Sequence, residues 1–386
     1  MISQFNIPST VIIGAGASRE LVPQLARLGA RRILLVSDAF MAASGLIARF
    51  AQELRAGHIT PVTFTEVQPD PTDENVRAGV RILLGEKCDA VVALGGGSPM
   101  DAAKAICVLA TNGEPLSRCQ GYHQVKAPGP PLIVIPTTAG TGSEVTKVAV
   151  ITDTERDVKM MMLDRHLLPT VALVDYELTL SMPASLTAHV GVDTLTHGIE
   201  AYVSRKATPL TDPLALQCIR LVAEHLETAW SQPDNRPARE GMMLAATLGG
   251  MAFANSSVAL VHGMSRPIGA LFHIPHGLSN ALLLPAVTRY SLAGAKDRYA
   301  TISRTLGCAT ASMNDEEAAA ALVPALVKLN QTLQVPSLSQ CPGTTRTRFD
   351  EMKVKMASDA LASGSPANNP IVPELADIIR LYEEAW

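Results

Sequence analysis

Cysteine is scarce and never grouped. Cys88, Cys107, Cys119, Cys218, Cys308 and Cys341 are scattered, with no C-x-x-C pair. That excludes a disulfide framework and a zinc knuckle, and it points to reduced thiols in a cytoplasmic protein. Aromatic residues are 4 % and charged residues 18 % of the 386, with a net charge of −4. There is no basic stripe and no basic run interleaved with aromatics, so nucleic acid is not an expected partner. No apolar run reaches about 18 residues, so no membrane span is expected. The start, Met1 to Pro8, has neither a basic n-region nor an apolar h-region, and a signal peptide is not expected. No G-x-x-x-x-G-K-[ST] occurs, which removes an ATP P-loop. Gly14-Ala15-Gly16 has Arg19 where the third glycine of G-x-G-x-x-G would stand, so it reads as a turn into the next helix.

What is abundant is apolar side chain, at 47 %. Such a chain can fill a large core, and its length suggests two domains. Up to about residue 180 short β-rich runs alternate with amphipathic stretches. The predicted strands are Thr10–Ile13, Arg32–Val36, Pro61–Thr65, Ala90–Leu94, Leu132–Ile135 and Val171–Val174. Helices are expected between them, such as Arg19–Leu28, closed by Gly29 at C′, and Asn75–Leu84. This rhythm indicates βαβ units and a parallel sheet. After Pro183 the pattern becomes helical: Ala184–Arg205, Pro213–Thr228, Arg239–Asn255, Asp315–Leu333 and Pro373–Ala385. Thr344–Asn369 reads as loop with short helix. The expected domains are 1–182, α/β with a parallel sheet, and 183–386, all-helical.

Gly95-Gly96-Gly97-Ser98-Pro99 follows a predicted strand and opens a helix. Glycines let backbone approach a pyrophosphate, and the helix N-terminus offers free N–H groups. Ser98 and Pro99 suit the N-cap and N1 positions. A capped tight turn is the plainer reading, but three consecutive glycines exceed what a cap needs. Pro136 to Glu144 carries four hydroxyls and two glycines after another strand, suited to ribose or nicotinamide or simply to a solvated loop. Asp38 ends its strand. It can bind ribose hydroxyls and repel a 2′-phosphate, or it can cap the next helix.

The chemistry-bearing residues of the second half are Asp193 and His197, and His262 and His276. Asp193 and His197 share a helix face at i,i+4. Such pairs often form only a hydrogen bond, and isolated histidines usually pack. Here both stretches are strongly apolar, and ionisable groups in apolar helices are paired or metal-bound. One carboxylate and three imidazoles, without thiolate, suit a catalytic divalent metal.

Together these stretches resemble the iron-containing (group III) alcohol dehydrogenase family nearly end to end. The residues that carry it are Gly95-Gly96-Gly97-Ser98 with Asp101 and Lys104, Pro136 to Glu144, Asp193 to His197 and His262 to Gly277. Propanediol and lactaldehyde reductase-like members are nearest in local sequence. The resemblance implies a nucleotide-binding α/β domain, a helical metal-binding domain and an active site in the cleft between them. It implies NAD, contacted by Asp38, Gly96, Gly97, Ser98, Asp101, Thr137, Thr138, Thr141 and Lys159. It implies Fe²⁺, or Zn²⁺ or another divalent ion, on Asp193, His197, His262 and His276. A homodimer or larger homo-oligomer is implied by analogy. Arg266 stands where many members carry a further histidine. It is expected either to hold an anionic group or to pair with an acid such as Glu200. Phe253 is a pocket candidate, and Glu200 and His273 are candidate hydrogen-bond partners of the ligands. The expected reaction is hydride transfer between a short-chain alcohol or aldehyde and nicotinamide. The alternatives are a metal-dependent lyase of the dehydroquinate-synthase type and a non-catalytic metal and nucleotide binder.

Overall fold

The computed structural model describes residues 3–156 and 158–386. The chain forms two compact units, one of Asn6–Thr179 and one that includes Leu180–Trp386.

The first unit contains strands β1 Thr10–Ile13, β2 Arg32–Asp38, β3 Thr60–Val67, β4 Ala90–Gly95, β5 Gly121–Tyr122, β6 Leu132–Pro136, β7 Val148–Asp153, β8 Val158–Leu163 and β9 Val171–Val174. Its helices are α1 Leu21–Arg27, α2 Ala39–Ala43, α3 Leu46–Ala56, α4 Asp73–Gly85 and α5 Gly97–Asn112. Six strands make one sheet in the order β1-β9-β6-β4-β2-β3, and every pairing in it is parallel. β4 and β6 are buried at every position, as strands covered by helices on both faces must be. Their continuous apolar runs made these two strands legible.

The strand order has a consequence. From β2 the chain steps outward to β3, then returns to the other side of β2 for β4, β6 and β9. The order reverses between β2 and β4, and ligands of open α/β sheets bind outside the carboxyl ends at such a point.

The smaller sheet, β5-β8-β7, was not anticipated. β8 reads Val-Lys-Met-Met-Met-Leu, and methionine carries no strand signal. β7 and β8 form an antiparallel ladder from Val148↔Leu163 to Asp153↔Val158.

The second unit is helical: α6 Ala184–Val203, α7 Asp212–Ser231, α8 Arg236–Asn255, α9 Leu260–Phe272, α10 His276–Ser291, α11 Lys296–Thr305, α12 Asp315–Thr332, α13 Arg346–Ala362 and α14 Leu375–Ala385. α6 is its centre, buried continuously from Gly191 to Val203. A Cβ at Gly191 would lie 2.2 Å from Leu226 Cδ1, so glycine lets α7 close on α6. Among the described residues no single helix is long and apolar enough to cross a membrane.

One helical expectation needs correction: Thr344–Asn369 holds the 17-residue α13, whose polar sequence hid its helical face. α9 and α10 continue through Pro267 and Pro285.

Candidate metal centre and nucleotide site

α6 presents Asp193, His197 and Glu200 at i, i+4 and i+7, one stripe of a buried helix. α9 contributes His262 and α10 begins with His276. Asp193, His262 and His276 each offer a ligand atom, all within 4.8 Å of one another. His262 Nε2 is 3.5 Å from Asp193 Oδ1, and His276 Nε2 is 4.0 Å from the same oxygen. His197 Nε2 lies 3.7 Å from that oxygen, at the edge of the cluster. Donors on a tetrahedral ion with bonds of roughly 2.1 Å stand about 3.4 Å apart, so these separations fit a divalent metal.

The surroundings hold these groups in place. Glu200 Oε2 meets His262 Nδ1 at 2.7 Å, which fixes that nitrogen as the proton-bearing one and turns Nε2 toward Asp193. The same carboxylate accepts from Ala259 N at 2.8 Å and Val261 N at 2.6 Å, the start of α9, which has no cap of its own. Phe253, from α8, stacks on His197 with ring centroids 4.4 Å apart. Asp193 is 1 % exposed, and a carboxylate so buried needs cationic or donor partners. Burial alone would raise its pKa, but His197, His276 and His262 together hold it well below the usual carboxylate range. Burial works against the His262 cation too, yet Glu200 and Asp193 raise its pKa to about 9. His276 is pushed down to about 4 by enclosure of its inner edge and by repulsion from His262, His197 and Arg266, although 47 % of its side chain stays exposed.

Glu200 is engaged with α9 and His262, and Arg266 Nη1 donates to Ser365 Oγ at 3.1 Å. His273 is the left-handed C-cap of α9 (φ 55°) and is exposed, and among the described residues its ring makes no hydrogen bond to the ligands. Asn280, absent from the sequence reading, sits among them: its Nδ2 is 2.6 Å from Asp193 Oδ1 and 3.2 Å from both His262 Nε2 and His276 Nε2. The available signal was its place four residues after His276, on the same helix face.

In the first unit the candidate cofactor residues gather at the carboxyl ends of β2, β4 and β6. Gly95 pairs with Pro136 in register, so the glycine and hydroxyl loops leave adjacent strands side by side. Gly95 has φ +147°, and a Cβ there would lie 2.7 Å from Pro99 Cγ. The N-cap of α5 is Gly96, not Ser98, so Ser98 and Pro99 fall inside the first turn. A Cβ on Gly97 would lie 3.1 Å from Thr141 Cγ2. Thr137 Oγ1 and Thr138 Oγ1 are buried in this cradle without a hydrogen-bond partner. Buried hydroxyls left unpaired beside glycines and a helix N-terminus fit a phosphate-bearing ligand. Asp38 caps α2 through Oδ1, which accepts from Met41 N at 2.8 Å, while Oδ2 would be 3.5 Å from a Cβ on Gly95.

Three residues are engaged by the protein itself. Asp101 accepts from Ser143 Oγ and Val150 N, both at 2.9 Å. Lys104 is fully buried and donates to Ser143 O and Oγ, Thr146 Oγ1 and Val148 O at 2.7 to 3.0 Å. Burial lowers its pKa to about 8 against the pull of Asp101 and Glu144. Together they bolt α5 to the hydroxyl loop. Lys159, on β8, pairs with Asp70 Oδ1 at 2.7 Å.

The family profile described as iron-containing alcohol dehydrogenase matches residues 8–176. The profile described as Fe-containing alcohol dehydrogenase family, C-terminal, matches residues 187–386. The chain belongs to the iron-containing alcohol dehydrogenase family. It is 38 % identical to the NAD-dependent methanol dehydrogenase of Bacillus methanolicus, over the whole of both chains. It is 34 % identical to the lactaldehyde reductase of Escherichia coli K12, again over all of both. The crystal structure of a 1,3-propanediol oxidoreductase superposes with a TM-score of 0.96 at 35 % identity, covering all of both chains. This iron-type dehydrogenase is an oxidoreductase linking NAD to alcohol and aldehyde, with iron and NAD as cofactors. The lyase and non-catalytic readings give way to it.

Proposed function

We propose that Asp193, His197, His262 and His276 hold the metal, and that Gly96, Gly97, Ser98, Thr137, Thr138 and Thr141 receive the dinucleotide, with Asp38 on its adenosine ribose. The substrate is a short-chain alcohol or aldehyde. The observation that carries the metal assignment is the convergence of Asp193, His262 and His276 donors within 4.8 Å, with Glu200 on the far nitrogen of His262. Asp101 supports the nucleotide site from behind, as a bolt and not as a contact. Lys159 stays a candidate cofactor contact, its ammonium held by the exposed Asp70.

When bound, the metal supplies Lewis acidity to the substrate oxygen and NAD supplies the hydride chemistry. The chain's own residues supply position. Glu200 fixes the tautomer and aim of His262. Phe253 covers one face of His197 and excludes water there. Fe²⁺ is the working ion, and Zn²⁺ displaces it in purified protein because this donor set binds zinc more tightly. Metal analysis tests the assignment: one equivalent per chain is expected, and a His262→Ala protein with full metal content would refute it.

Two further effects follow. Glu200→Gln keeps the shape but places an amide against the N–H groups of α9 and loosens His262. Metal affinity should fall about 10–100-fold in a chelator competition assay, and unchanged affinity would deny Glu200 its role. Asp38→Gly removes an acceptor for the ribose hydroxyls and the repulsion of a 2′-phosphate. A loss of about 10–100-fold in kcat/KM with NADH is expected, narrowing or reversing the preference over NADPH. A wild-type protein that uses NADPH better than NADH would contradict this.

We place the enzyme in the cytoplasm as a homodimer or larger homo-oligomer. Its six unpaired cysteines support the compartment. Light scattering on the purified chain tests the assembly, and a monomer would contradict it.

A further inference from the structure

We propose that Asn280 is the positioning residue of the metal centre: its amide, donated from one turn beyond His276 to Asp193 Oδ1, fixes which oxygen of that carboxylate faces the imidazoles. The inference rests on the metal assignment above.

The amide Nδ2 reaches Asp193 Oδ1 on α6, His262 Nε2 on α9 and His276 Nε2 on its own α10, at 2.6, 3.2 and 3.2 Å. Nδ2 donates to the carboxylate, while the two imidazole nitrogens lie beside it and keep their lone pairs for the metal. The carboxylate takes the nearest and strongest bond, because it is charged. That bond fixes which oxygen of Asp193 faces the imidazoles.

The other pole of the side chain separates this asparagine from a structural one. Asn280 is 0 % exposed, and its Oδ1 has no hydrogen-bond partner. Asparagines that serve the backbone here behave differently. Asn112 joins Val108 O and Ala127 O through Nδ2 and accepts from Lys126 N and Ala127 N through Oδ1. Asn369 ties Ser291 Oγ to Ile371 O, and Asn330 holds Ala281 O. Asn280 ties no backbone group in this way: its side-chain bond goes to a ligand atom alone. A buried carbonyl left unpaired is costly, so stability alone would favour leucine in this apolar helix. What asparagine contributes there and leucine does not is a donor aimed at Asp193.

The test uses full-length Asn280→Leu and Asn280→Ala. Zinc affinity is measured by competition with a chromophoric chelator, and the Co²⁺-substituted proteins are compared by their visible d–d absorption. NADH binding and the melting of chelated protein are measured alongside. Zinc affinity is expected to fall about 10–100-fold, as for other groups that orient metal ligands. The cobalt bands should change in intensity and position, reporting altered donor geometry, while NADH affinity holds and the chelated proteins stay folded at the assay temperature. Affinities within about twofold of wild type with an unchanged cobalt spectrum would overturn the proposal. So would a loss of affinity that merely follows a loss of folded protein. Failure of the underlying metal assignment looks different: the wild-type chain itself would take up no stoichiometric zinc or cobalt.

Discussion

His276→Ala leaves a folded protein that binds NADH, retains no stoichiometric metal and loses at least about 10³-fold in activity. The magnitude follows from the Lewis acidity supplied by a bound ion, several kcal/mol at about 1.4 kcal/mol per decade of rate. The retained fold follows from position. His276 is the first residue of α10, with 47 % of its side chain exposed, so truncation removes a donor without opening a core cavity. Metal content, NADH titration and thermal melting of the purified variant check each part. Full metal content with full activity would remove His276 from the site.

Arg266→Ala is expected to lower kcat/KM for an anionic aldehyde by roughly 2–4 kcal/mol, about 30- to 1,000-fold, with a much smaller effect on a neutral aldehyde. Arg266 lies one turn after His262 on α9, and its charge is felt at His276. Ser365 Oγ accepts from its Nη1 at 3.1 Å and orients the guanidinium. A guanidinium stays charged and offers a fork of donors that matches carboxylate, sulfonate or phosphate. It cannot relay protons near neutrality, so the role tested is anion binding and not proton transfer. A pair of otherwise matched aldehydes, one neutral and one anionic, reads the difference directly. Equal losses on both, with NADH affinity unchanged, would leave Arg266 a scaffold residue.

The parts of this protein that were legible in its sequence were those whose residues carry a strong local signal. Apolar runs marked the inner strands of the large sheet, because strands covered on both faces must be apolar throughout, while β-branched residues marked the edge strands β1 and β3. The i,i+4 spacing of Asp193 and His197 placed both on one face of α6. What stayed hidden had competing or weak signals. The methionines of β8 conceal a strand, and the polar sequence of α13 conceals a helix. Ser98 looked like an N-cap, but the helix begins earlier at Gly97, where the unhindered glycine backbone continues from the turn. Asp101 looked like a cofactor contact because it stands in a cofactor motif, yet its oxygens hold Ser143 and Val150 in place. Asn280 was missed because one asparagine in an apolar helix says nothing until the helices around it are assembled.

The most direct test of the central claim, that the Asp193, His197, His262 and His276 set carries the metal on which NAD-linked aldehyde reduction depends, is anaerobic NADH oxidation by one preparation assayed three times. It is assayed as purified, after chelation, and after reloading with Fe²⁺, against short-chain aldehydes that include anionic ones. Activity that disappears on chelation, returns with one equivalent of Fe²⁺ per chain, and consumes one NADH per aldehyde reduced is the predicted result. Undiminished NADH-dependent reduction by the fully chelated protein would contradict it.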